Sequence, residues 1–66
     1  MHASVMALIT KARDSYAAFR AADLGDGPYT DAQRDELRRT CEAYVRDEAR
    51  AIAAVRRWIA GQQEDG

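Results

Sequence analysis

Sixty-six residues leave room for one domain, and a chain this short buries only about 60% of its unfolded surface, so its stability is marginal without a staple. A single cysteine excludes an intrachain disulfide and a single histidine excludes a Cys/His zinc site, which leaves oligomerisation as the available staple. A net charge of −1 excludes a global field for nucleic acid or membrane, while nine Arg, one Lys and fourteen Ala carry the bias of a high-GC bacterial or phage genome.

The first predicted element is a helix from about Ala3 to Leu24, with Ser4 as its expected cap. Val5, Leu8, Ile9, Ala12, Tyr16 and Phe19 fall on one stripe at 100° per residue, opposite Lys11, Asp14, Ala17, Ala18 and Ala21. The start has no basic n-region, and Thr10 and Lys11 break its apolar run, so it does not read as a signal peptide. No stretch approaches the eighteen apolar residues of a membrane span. With a free thiol and no export signal, the expected location is the reducing cytoplasm.

Residues 25–29 form the expected turn. Gly25 suits a left-handed helix terminus and Pro28 blocks continuation, so the chain turns back as an antiparallel hairpin. Thr30-Asp31-Ala32-Gln33 is then a capping box, and Asp31 and Asp35 favour the positive end of the helix that follows.

That second helix is expected from 30 to about 61, with a fraying tail over 62–66. Its inner face reads Leu37, Cys41, Tyr44, Val45, Ile52, Val55, Trp58 and Ile59. In a tight hairpin Phe19 lies near Leu37, Ala12 near Tyr44, and Val5 near Ala51 and Ile52. Past Val55 the second helix then overhangs the first. Val55, Trp58 and Ile59 become the expected self-association residues, and a two-fold dimer forming a four-helix bundle is the simplest cover; the alternative is a monomer in which Trp58 folds back over Met1 and Val5.

Glu48 lies within this apolar face and needs a partner, because an isolated buried carboxylate costs several kcal/mol. Three roles are open to it: snorkelling or pairing with Arg13, fixing register and oligomer state with Tyr16 or Tyr44, or serving a ligand site built from Glu48, Tyr44 and Tyr16. No Glu-x-x-His motif supports a carboxylate-bridged metal, and no cofactor is implied. Cys41 has no neighbouring histidine and reads as a small core residue. On the opposite face Arg39, Arg46, Arg50 and Arg57 recur at spacings of 7, 4 and 7, a ridge that phosphates of a nucleic acid can follow. Helical spacing also allows Asp35 to pair with Arg39, Glu42 with Arg46 and Asp47 with Arg50.

The sequence therefore predicts an all-α antiparallel hairpin assembling as a dimeric four-helix bundle. The expected function is a small non-catalytic interaction or adaptor module, whose partner is a second copy or another protein. A nucleic-acid regulator using the arginine ridge is the second reading, and a small-molecule site around Glu48 the third.

Overall fold

Two helices make up the computed structural model, which describes residues 2–64: α1 over Ala3–Ala22 and α2 over Asp31–Glu64. α1 is capped two residues earlier than Ser4. His2 takes the extended cap conformation, and its Nδ1 accepts from the Ser4 backbone N–H at 3.2 Å. α1 ends at Ala22, two residues before the expected Leu24, because Asp23 turns extended after its N–H bonds the Phe19 carbonyl at 3.1 Å.

The loop over residues 23–30 is organised by Tyr29. Its hydroxyl donates to the Gly25 carbonyl at 2.6 Å and accepts from the Leu24 N–H at 3.0 Å. Gly25 and Gly27 hold φ of +90° and +73°, conformations that a side chain strains. At Gly27 a Cβ would also stand 3.2 Å from the Tyr29 ring.

The capping box forms as its spacing requires. Gln33 N–H bonds Thr30 Oγ1 at 3.1 Å, and Gln33 Oε1 reaches back to the Thr30 N–H at 2.8 Å. Thr30→Ala is expected to cost about 1 kcal/mol, which a thermal melt reads as a fall of roughly 4–8 °C in a domain of this size. The expected fraying over 62–66 is replaced by helical backbone as far as Glu64. Residues 65 and 66 lie outside the described part of the chain.

The helices pack antiparallel in a register different from that of a tight hairpin. Ser15 meets Asp47, the Tyr16 and Tyr44 rings are 5.1 Å apart, and Phe19 and Tyr44 stack at 6.1 Å. Val5 and Leu8 share a groove with Ala54 and Trp58. Each α1 residue thus meets α2 about one to two turns later than a tight turn allows. The cause is the loop. Eight non-helical residues separate Ala22 from Asp31, and extended chain covers about 3.3 Å per residue. Extending the Ser15–Asp47 register places Ala22 level with Thr40, so α2 residues 31–39 project roughly 13 Å beyond the end of α1. The molecule is a rod of 55 × 15 × 14 Å whose long dimension is set by α2.

This register corrects the expected overhang. The N-terminal part of α1 reaches Trp58, which is half-buried in the groove beside Val5 and Leu8. Helix beyond the α1 end lies mainly at the start of α2.

Candidate functional site

The face that α2 turns toward α1 is not the face the apolar spacing nominates. Ala43, Tyr44, Asp47, Ala51, Ala54 and Trp58 form the seam, with Ala51 and Asp47 buried. Small side chains let the helices approach here, with Ala12 and Ser15 facing them from α1. The larger apolar residues are rotated away. Val45, Ile52 and Ile59, expected inside, keep 60%, 45% and 44% of their surface exposed. At 100° per residue the stripe Cys41–Val45–Glu48–Ile52–Val55–Ile59 is centred roughly a quarter turn from the seam. α1 covers one flank of the apolar stripe and leaves the other bare.

The bare flank continues onto α1. Met6 and Tyr16 are exposed, and Ile9 is partly so. Ile9, Ala12, Arg13, Tyr16, Tyr44, Glu48 and Ala51 line an open groove between the helices on this side. Glu48 is half-buried within it, and the Tyr44 hydroxyl donates to Glu48 Oε2. The bond to the carboxylate is the main reason that the Tyr44 hydroxyl is pushed above its ordinary value, with burial adding to it. Structure thus brings together the three residues nominated around Glu48; Arg13, its expected ion-pair partner, lines the same groove but makes no ion pair with it. Val55 is half-buried two turns along α2 from Glu48, and Ile59 stands on the same stripe one turn further on.

Asp47 is the residue that sequence reasoning misplaced. It was expected on the solvated face with Arg50; instead it is 3% exposed in the centre of the seam. Ser15 Oγ donates to its Oδ2, and Arg46 Nε stands 3.5 Å from its Oδ1. The Ser15 hydrogen bond is the largest influence lowering the Asp47 carboxyl below its ordinary value. Arg46 and Lys11 lower it further, while burial opposes them. A carboxylate whose folded pKa is depressed contributes stability that is present above its unfolded pKa and lost as pH falls through the folded one. Ser15→Ala is therefore expected to leave the buried carboxylate short of a donor, to destabilise the fold at neutral pH, and to flatten its acid sensitivity. Adding Asp47→Leu should restore stability, because the unsatisfied charge goes with it. Acid titration followed by circular dichroism for the wild type and both variants checks this. A wild type and a Ser15→Ala variant with the same acid profile would refute it.

The arginine ridge is partly engaged. Arg39 pairs with Glu36 and Arg38 with Asp35 at 3.2 Å, in place of the expected Asp35–Arg39 pair. Arg46 is drawn to Asp47 and not to Glu42. Among the described residues Arg50 and Arg57 make no ion pair, and Arg57 lies at the mouth of the groove holding Trp58 and His2. Cys41 is a free, half-buried thiol on the edge of the bare stripe. Among the described residues no group of three or more His, Cys, Asp or Glu is placed to hold a metal, and no helix is long and apolar enough to cross a membrane.

Comparison of the chain with known protein families, curated proteins and solved structures finds no match. The functional reading accordingly rests on the geometry of the bare face.

Proposed function

We propose that the protein is a small non-catalytic interaction module that acts by self-association, two copies closing their bare faces on one another as a four-helix bundle in a reducing compartment. One observation carries this reading. The hairpin exposes 5161 Å², whereas a compact monomer of its 7.4 kDa mass exposes about 4200 Å². The excess, on the order of 900 Å², is close to the ~800 Å² that each partner contributes to a standard interface. Among the exposed large apolar side chains, Met6, Tyr16, Val45, Ile52 and Ile59 lie on the bare face. A second copy meets the size requirement for a larger core and covers both helices' exposed residues at once.

In this reading the groove around Glu48, Tyr44 and Tyr16 is interface and not a small-molecule site. The nucleic-acid reading is secondary: Arg39 and Arg46 already have acidic partners, which leaves Arg50 and Arg57.

Sedimentation equilibrium tests the proposal. The expected result is a species of twice 7.4 kDa at tens of micromolar protein; a monomer persisting at high micromolar concentration overturns it. A gel shift with generic RNA and DNA at low and raised salt tests the ridge, whose binding should fall when Arg50 and Arg57 are both replaced by Ala.

A further inference from the structure

The bare stripe on α2 carries more than apolar character. Cys41, Val45, Glu48, Ile52, Val55 and Ile59 are separated by four, three, four, three and four residues, the repeat of a coiled-coil seam. Val45, Ile52 and Ile59 fall at equivalent positions, one per heptad, and all three are β-branched. Cys41, Glu48 and Val55 fall at the alternate positions, with Glu48 in the middle of the seam. We infer that the two copies pair antiparallel, α2 against α2 along this seam, and that Glu48 sets the orientation. The inference rests on the self-association reading and adds the geometry of the pair.

Charge decides between parallel and antiparallel. In a parallel pair Glu48 of one copy faces Glu48 of the other in the middle of an apolar seam, where like charges cannot both stay ionised. In an antiparallel pair Glu48 faces Ile52, Val45 faces Val55, and Cys41 faces Ile59. Each carboxylate then keeps its Tyr44 hydroxyl, and the two Glu48 residues stand one helical turn apart along the seam instead of face to face.

Register supports the same arrangement independently. All three α2 pairs share a midpoint at position 50. On α1, the exposed row Met6, Ile9, Arg13 and Tyr16 has its own midpoint at position 11. The Ser15–Asp47 and Tyr16–Tyr44 contacts place α2 position 50 level with α1 positions between 10 and 12. One two-fold axis therefore serves both helices, pairing α2 with α2 and α1 with α1. Packing α2 on α1 of the other copy instead sets Val45 level with Tyr16 and Ile59 level with His2, which spends the apolar end of the seam at Ile59 on a polar side chain.

The native thiol makes the orientation testable. A disulfide needs Cα atoms about 4.4–6.8 Å apart. Antiparallel pairing separates the two Cys41 residues by roughly 27 Å along the seam and brings Cys41 opposite position 59. Mild copper-catalysed oxidation is therefore expected to leave the native protein uncrosslinked. Ile59→Cys, at an exposed position, should crosslink nearly completely into a dimer on a non-reducing gel, whereas Ile59→Cys with Cys41→Ala should not. Sedimentation of the same samples separates the two ideas. A monomer sinks self-association and orientation together. A dimer that crosslinks through Cys41 alone is parallel, and a dimer of Ile59→Cys that fails to crosslink sets α2 against α1 of the other copy or uses another surface; any of these overturns the inference and leaves self-association standing.

Discussion

Ile52→Asp is expected to convert the proposed dimer to a monomer without unfolding the hairpin. Ile52 points away from α1 and is 45% exposed in the single chain, so the α1–α2 seam does not depend on it. In the pair it is central, opposite Glu48. Losing its burial costs about 2 kcal/mol per copy, and each dimer loses two, so Kd should rise by roughly three orders of magnitude. A new carboxylate beside Glu48 adds like-charge repulsion on top. Sedimentation equilibrium across a concentration series measures the effect, and far-ultraviolet circular dichroism at high concentration checks that the helices persist. Arg50→Ala, on the opposite face, serves as the control and should leave Kd unchanged. An Ile52→Asp variant that associates as tightly as the wild type would show that this stripe is not the interface.

The residues that were legible in the sequence and those that were not differ in the kind of physics involved. The capping box, the helical periodicities and the loop between them are local, and the hairpin follows from them. Glu48 and its tyrosine partner were legible because a carboxylate inside an apolar stripe demands a donor, and Tyr44 is one turn away. Register was not, because it depends on where α1 stops: Asp23 and the Tyr29-organised loop add chain that a tight turn does not have. The seam was also misjudged. Averaging the apolar positions of α2 finds the centre of its whole hydrophobic stripe, but α1 does not pack along that centre. α1 takes the flank where alanines, Ser15 and Asp47 permit close approach, and the flank with Val45, Ile52 and Ile59 is left over. Asp47 looked like a surface ion-pair partner for this reason. The one signal for its burial was the row Ala43, Asp47, Ala51 and Ala54, small residues at helical spacing around it.

Trp58→Ala separates the two flanks from the other direction. Trp58 packs in the groove with Val5, Leu8 and Ala54, and Val5 and Ala51 are the only buried apolar residues among the described residues, neither of them completely. A core this thin depends on the one large ring that closes its open end. Full burial makes Trp→Ala cost about 3–5 kcal/mol; a half-buried ring puts the loss near 2 kcal/mol, or a fall in Tm of roughly 8–16 °C for a domain of this size. The loss belongs to the hairpin itself. It should therefore persist in the Ile52→Asp background, where the partner copy has been removed. Were Trp58 covered by the second copy, the same substitution would cost almost nothing in that background. Thermal melts of Trp58→Ala, Ile52→Asp and the double variant, at two protein concentrations, distinguish these outcomes. The expected pattern is additive, since Trp58 and Ile52 lie on different faces and share no contact. It should also shift with concentration only where Ile52 is intact, because mass action stabilises only the chains that still pair.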